Sequence, residues 1–404
     1  VRTWCCVVAL SVLGGCSGPN DSPPSSPPPP SSGEGGGRAG YQCTVGPRRL
    51  LAAADAVAAE GDGAPWFVGG PSGARVYARG ADGVLRWSDG RRGTSLPAMI
   101  GRDGRGVVTL REGRFGWAGE RYLVIAGDHD NGDGLNSLLP DPVWRGPRLF
   151  ATDEGHGDLR AVRAGLPTQA CDVRITETPV GALVTWIRRG PGGCAEGGEG
   201  WVQAFDARGE PVGSARALTL AEQSVPLRSL SGRWDFGRAV LSGRGDRIVS
   251  WVLDGRGAVL AADDAGDVAC PRAGCGRVRV EEETGLGAAE GNETGAAALR
   301  LEPLGDEAGG RLRGLRVQLR RATVRGLAVS GDLLLVLHRA QGGGCDLSIV
   351  DLEQRAVVSE HHESTQRACD AGDVRALPRG FALAGFLGSS GPFTVTFDCP
   401  RPPR

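Results

Sequence analysis

The sequence contains no lysine: all 46 basic residues are arginine, set against 47 acids. The resulting formal net charge of −1 excludes the basic footprint of a nucleic-acid binder and provides no overall attraction to anionic lipid. Nucleic acid is therefore not an expected partner. Histidine is scarce, with five in the chain. A three-histidine zinc centre would need three of His129, His156, His338, His361 and His362 to converge from distant segments. There is no G-x-S-x-G elbow, no H-E-x-x-H pair and no phosphate loop, which removes the common signatures of serine hydrolases, zincins and nucleotide hydrolases. No apolar run reaches the about 20 residues a membrane-spanning helix needs. Sustained helical periodicity is also scarce. Leu50–Glu60 is Ala-rich and followed by Gly61, and even there a strand is the favoured reading.

What is present begins with an export pattern. Residues 1–15 carry a charged tip at Arg2, a short apolar run from Cys5 to Leu13, and small residues before Cys16, the layout of a secretory signal peptide. Leu13-Gly14-Gly15-Cys16 resembles a bacterial lipobox. That resemblance implies that Cys16 is acylated and becomes the first residue of the mature chain, so that the membrane is a partner through a lipid anchor. Ser17 follows, rather than the aspartate that retains lipoproteins at the inner membrane in enteric bacteria, which implies the outer membrane, on its periplasmic or surface face. Residues 16–40 then read as the lipidated cysteine plus a tether of Pro, Ser and Gly, too poor in apolar side chains to offset its ordering entropy. Its Pro23–Pro30 core is expected to be semi-rigid and extended. The folded domain is expected over residues 41–404.

Of the 11 cysteines, Cys5 and Cys6 lie in the expected signal, and Cys16 would carry the lipid that the lipobox resemblance implies. An even set remains, which in an exported chain reads as disulfides rather than zinc knuckles. Proximity favours Cys171–Cys194, Cys270–Cys275 and Cys345–Cys369. That leaves Cys43 with Cys399, joining the two ends of the folded region.

From Tyr41 onward the chain is a series of short apolar runs separated by Gly, Asp and Arg. Arg121-Tyr-Leu-Val-Ile125, Ala182-Leu-Val-Thr-Trp186, Arg247-Ile-Val-Ser-Trp251 and Leu333-Leu-Leu-Val-Leu337 are enriched in strand formers and bounded by turn residues. A Gly turn precedes each core run (Gly119, Gly181, Gly245, Gly331). A strand, Asp-x-x-Gly turn, strand phrase follows at Trp201–Val212 and Trp251–Val259. Centres near Phe67, Val124, Val184, Val249, Val336 and Leu383 recur with a period suited to four-stranded units. The long step after Val249 leaves room for another unit from Arg277–Val280, Ala298–Leu304 and Leu312–Leu319. Units whose faces cannot be buried alone point to an all-β fold, a β-propeller of seven blades, with six as the other count. Tandem β-sandwiches are the competing architecture. Trp117-Ala-Gly-Glu-Arg-Tyr-Leu-Val124, followed by Asp-x-x-Gly hairpins, resembles the degenerate propeller repeats of exported myxobacterial-type lipoproteins. The resemblance implies fold and envelope location, and no activity.

Few segments suggest chemistry. Asp128, Asp130 and Asp133, within Asp128-His-Asp-Asn-Gly-Asp-Gly134, resemble acidic calcium loops but depart from the spacing by one residue, and a solvated Asp/Asn/Gly turn explains them equally. Calcium is the one cofactor considered. Glu360-His-His-Glu363 sits on an expected strand, whose alternation sends His361 and His362 to opposite faces. The six arginines of Arg311–Arg325 read as a solvated strand face, Arg244-Gly-Asp246 as a turn, and the tryptophans as blade core. The expected role is a non-catalytic binding or scaffolding module for an envelope protein or glycan. The alternative is an exported glycan-active hydrolase or lyase with a carboxylate site on one face of the ring.

Overall fold

The computed structural model describes residues 40–50, 66–69, 75–79, 85–88, 96–97, 100–102, 107–109, 115–126, 147–152, 160–162, 165–167, 170–190, 193–264, 266–282, 297–304, 312, 314–319, 324–339, 345–363, 373–386 and 392–401. Their regular structure is strand, arranged as seven antiparallel sheets of four or five strands plus two two-stranded hairpins. Six of the seven are consecutive meanders. Blade 1 is Trp66–Val68, Arg75–Arg79, Leu85–Ser88 and Leu96–Pro97. Blade 2 is Phe115–Trp117, Tyr122–Ala126, Arg148–Thr152 and Arg160–Ala161. Blade 3 is Ala170–Thr178, Gly181–Gly190, Gly193–Asp206 and Pro211–Ala217. Blade 4 is Ser229–Asp235, Arg238–Arg244, Ile248–Leu253 and Val259–Asp263. Blade 5 is Val268–Ala269, Gly276–Glu282, Ala297–Pro303 and Leu315–Leu319, and blade 6 is Val324–Ser330, Leu333–Arg339, Cys345–Asp351 and Ala356–Glu363.

Blade 7 is built from both ends of the folded region. Asp373–Leu377, Gly380–Phe386 and Pro392–Asp398 are its first three strands. Thr44–Val45 supplies the fourth by pairing Thr44 with Asp398, and Arg49–Leu50 pairs further along the same third strand. The first strands neighbour one another from blade 1 to blade 4 and from blade 6 through blade 7 back to blade 1. The chain is therefore a closed seven-bladed β-propeller, and tandem sandwiches are excluded by that closure. Cys43 and Cys399 form a disulfide beside the N-terminal strand, across a sequence separation of 356.

The core lies between blades rather than within any one of them. Leu183 and Ile187, on the second strand of blade 3, pack with Leu230, Leu241 and Trp251 of blade 4. The alternate residues Ala182, Val184 and Trp186 pack with Leu123, Ile125 and Ala151 of blade 2. A strand sandwiched on both faces reads as one continuous apolar run, and this is why the middle strands stand out in the sequence. The same partition joins blades 4 and 5, 5 and 6, and 6 and 7. The tryptophans serve these interfaces: Trp186 stacks on Trp201 at 6.5 Å, and buried Trp251 donates Nε1–H to the Thr219 carbonyl at 2.8 Å. Leu315–Leu319 alternates buried and exposed, with Arg316 on its outer face.

Turn chemistry follows the Asp-x-x-Gly phrase. Asp206 Oδ1 accepts from the backbone N–H of Arg208 and Glu210, and Asp254 Oδ1 from Arg256 and Ala258, at 2.8–3.0 Å. Each turn ends on a glycine with positive φ, 75° at Gly209 and 76° at Gly257. A Cβ on Gly209 would also come within 2.8 Å of Leu123 in blade 2. One phase of the repeat differs from the sequence reading. Gly119, Gly181 and Gly331 join first to second strands, whereas Gly245 joins the second and third strands of blade 4. Two centres are thus one strand out of step, Val249 on the third strand of blade 4 and Phe67 on the first strand of blade 1, because Gly turns and short apolar runs mark every hairpin alike. The additional unit after Val249 is blade 5.

Closing the ring with Cys43–Cys399 removes loop entropy on the order of 5 kcal/mol from the unfolded chain. Replacing both cysteines by serine is expected to lower the midpoint of urea unfolding and to raise the m-value, because the unfolded chain is no longer held in a closed loop. An unchanged midpoint would mean that strand pairing alone holds the seam.

Candidate functional site

An inner strand pairs with its blade on one edge only, so its other edge turns backbone N–H groups toward the axis, where each needs an acceptor. In this chain acidic side chains of other blades supply several of them. Asp172, on the inner strand of blade 3, accepts from the Leu230 N–H of blade 4 at 2.6 Å. Buried Asp235, at the end of the inner strand of blade 4, accepts from the Cys270 N–H of blade 5 at 2.9 Å while Arg233 pairs with its other oxygen at 3.0 Å. Asp373, opening the inner strand of blade 7, accepts from the Phe67 N–H of blade 1 at 2.8 Å.

Glu177 of blade 3 is the most heavily used of these acids. Its Oε1 accepts from Gly69 N–H of blade 1 at 2.7 Å and from Trp117 N–H of blade 2 at 2.8 Å. Its Oε2 takes a second contact from Gly69 N–H at 2.9 Å and an ion pair from Arg375 of blade 7 at 2.8 Å. One carboxylate thus joins blades 7, 1, 2 and 3. Two glycines allow the approach: a Cβ on Gly69 would lie 2.8 Å from Glu177 Oε2, and one on Gly116 would meet Ile175 at 2.6 Å.

Asp373 and Arg375 share a face of their strand by alternation. Burial is the main influence on Asp373 and pushes its carboxyl from an ordinary 3.8 up to about 6, against the opposing pull of the Phe67 N–H, the Arg375 guanidinium and the Val374 N–H. Acids and an arginine therefore converge on the axis, as a carboxylate enzyme would require. Glu177, however, has both oxygens engaged by backbone and guanidinium donors, which fix its position and occupy the lone pairs a nucleophile would need.

The residues singled out from the sequence sit elsewhere. Besides Cys43–Cys399, Cys270 and Cys275 form a disulfide that closes the hairpin after the two-residue inner strand of blade 5. Cys171 is also disulfide-bonded. The side chains of Cys194, Cys345 and Cys369 lie outside the described residues, as do Cys16, Asp128, Asp130 and Asp133. Among the described residues, no group of three or more His, Cys, Asp or Glu is placed to hold a metal ion. His361 packs edge-on against Phe397 of blade 7 at 5.6 Å, while His362 Nδ1 contacts Asp346 Oδ1 at 2.5 Å, so the two rings face opposite ways. Sequence reasoning missed Glu177, Asp172, Asp235 and Asp373. The one available signal was an acid lodged within a strand-like run, as in Ala170-Cys-Asp-Val-Arg-Ile-Thr-Glu-Thr178.

Glu177→Ala strands three backbone contacts and Arg375 at once. A loss of about 3–5 kcal/mol in unfolding free energy is expected, with Glu177→Gln retaining part of it because the amide oxygen still accepts. A Glu177→Ala protein as stable as wild type would remove the carboxylate from this role. For Asp373 the raised value means the fold favours the protonated acid. Its contribution is complete below about pH 4, is lost as pH rises through about 6, and is flat above that. Asp373→Asn cannot ionise, so wild type should lose about 3 kcal/mol relative to it between about pH 4 and pH 7. Parallel stability–pH curves for the two proteins would contradict this.

No protein-family model and no curated protein matches the sequence. Among solved structures the chain is similar to hydrazine synthase of Kuenenia stuttgartiensis, at 14% identity and a TM-score of 0.45, over 85% of this chain and 96% of that one. It is also similar to a chain of the complex of BBS1N with ARL6DN, at 9% identity and a TM-score of 0.43, over 90% of this chain and 98% of that one. AztD of Citrobacter koseri matches at 10% identity and a TM-score of 0.39, over 83% of this chain and 89% of that one. At these values the likenesses carry no argument about activity.

Proposed function

We propose that the chain is a lipid-anchored envelope protein whose propeller is a non-catalytic binding or scaffolding module for an envelope protein or glycan. The observation that carries the non-catalytic part is the use of the axial acids. A glycan-cleaving site needs two carboxylates free to reach a glycosidic bond, and here Glu177, Asp172, Asp235 and Asp373 each accept from the backbone of another blade. Disulfides support an oxidising compartment. The lipobox-like Leu13-Gly14-Gly15-Cys16 supports the anchor.

The two ends of the ring are unequal. Strands run antiparallel, so first-to-second and third-to-fourth hairpins share one end, the turn end, while second-to-third and fourth-to-first connections share the other, the loop end. In blades 3, 4 and 6 the turn-end hairpins are tight. Residues 127–146, 283–296 and 364–372 all connect strands at the loop end. Variable connections on a rigid ring are where partner recognition resides, and the loop end is assigned that role.

Intact mass of the protein from a membrane fraction, reduced and non-reduced, tests the anchor and compartment together. The expected result is a diacyl or triacyl mass on a chain beginning at Cys16, with protons missing in the non-reduced form. An unlipidated chain with free thiols would overturn both.

A further inference from the structure

The turn end of blades 3 to 5 combines exposed apolar tips with arginines. Val180, in the first hairpin of blade 3, is 63% exposed, and Phe236, in the first hairpin of blade 4, is 48% exposed. Both tips lie at the same end of adjacent blades, and Gly255, in the neighbouring hairpin of blade 4, lies against Val180 and against Trp234, two residues before Phe236. The Arg272 guanidinium sits 5.3 Å over the Phe236 ring, and its backbone N–H donates to the Gly331 carbonyl of blade 6. Arg238, Arg256 and Arg272 are exposed, and among the described residues none has a carboxylate within ion-pair distance.

The acids nearest these arginines in the sequence are held by other partners. Asp235, three residues before Arg238, is buried against Cys270 N–H. Asp254, two residues before Arg256, spends its Oδ1 on the backbone of its own turn. The net charge of −1 therefore conceals a local cationic patch with two apolar tips. The N-terminal segment joins the ring at this same end: Gly40 lies against Gln354 in the third hairpin of blade 6, and Cys399 N–H donates to Arg379 in the first hairpin of blade 7.

We infer that this patch docks on an anionic lipid surface, with Arg238, Arg256 and Arg272 meeting headgroup charges and Phe236 and Val180 entering the interface. Arginine with exposed aromatic and aliphatic side chains is the composition that fits such a surface. The inference rests on the membrane-tethered reading, in which the tether raises the effective concentration of the patch at the lipid surface and adds to a binding the ring has by itself. It also leaves the loop end pointing away from the bilayer.

Residues 39–404, the compact unit that holds every described strand of the ring together with Cys43–Cys399 and Cys270–Cys275, allow a test independent of acylation. This unit is mixed with vesicles of phosphatidylcholine alone or with phosphatidylglycerol, and sedimentation is measured. Binding is expected only on the phosphatidylglycerol-containing vesicles, with Arg238→Ser, Arg256→Ser and Arg272→Ser each weakening it about fivefold. Phe236→Ser should weaken it as well, while Arg216→Ser on the outer strand of blade 3 should leave it unchanged, with thermal midpoints confirming the fold throughout. Equal sedimentation with both vesicle types, no sedimentation, or arginine variants that bind like wild type would overturn the inference. So would an envelope protein crosslinking at Phe236 in the absence of vesicle binding, which would assign the patch to a protein partner. Because Cys16 is absent from this unit, a failure here leaves the anchor to be decided by the mass measurement.

Discussion

A ring of separate sheets has no ladder of backbone hydrogen bonds from one blade to the next, and its inner strands must still satisfy the edge they turn toward the axis. In this propeller carboxylates carry out both tasks. Asp373 ties blade 7 to blade 1, Asp172 ties blade 3 to blade 4, and Asp235 ties blade 4 to blade 5. Glu177 reaches in the opposite sense, across blade 2 to blade 1, and takes Arg375 from the last blade. The apolar packing between blades is non-directional and tolerates small slips. A charge-assisted bond to a particular N–H does not. These acids fix how each inner strand stands against the next, and the disulfide between Cys43 and Cys399 secures the outer rim of the same seam.

The fold was legible where burial is two-sided. The second and third strands, such as Gly181–Gly190 and Ile248–Leu253, are packed by neighbours on both faces, so their sequences are unbroken apolar runs. The outer strands carry much less signal. Pro211–Ala217 is largely exposed and shows no period, and Thr44–Val45 is exposed at both positions, so nothing local announces it as the closing strand of blade 7. Only the pairing of Cys43 with Cys399, reached by elimination, pointed to that seam. The Asp-x-x-Gly turns were visible because their chemistry is local, with Asp and Gly a fixed three residues apart.

The axial site was illegible for the opposite reason. Each of its bonds joins residues far apart in the chain, 60 for Glu177 to Trp117, 108 for Glu177 to Gly69 and 306 for Asp373 to Phe67. No spacing rule connects such positions, because the register between blades is set by packing rather than by a turn. A composition count sees Glu177 as one acid among 47. Its role is created by the closure of the ring.

The same limit applies to charge. Counted along the chain, Asp254 and Arg256 cancel, as do Asp235 and Arg238. In the folded hairpins they separate: the aspartate folds back onto backbone N–H groups and the arginine extends into solvent. A turn of this kind is electrically neutral in composition and polarised in space, with its positive pole outward. Repeated on adjacent blades at one end of a rigid ring, such turns build a cationic surface from a neutral sequence. The loop end carries short connections too, at residues 191–192 of blade 3 and 245–247 of blade 4, but it also holds the long ones at residues 127–146, 283–296 and 364–372. A propeller that places acid-capped turns such as those at Asp206 and Asp254 at one end thus acquires two unlike faces without any excess of charge.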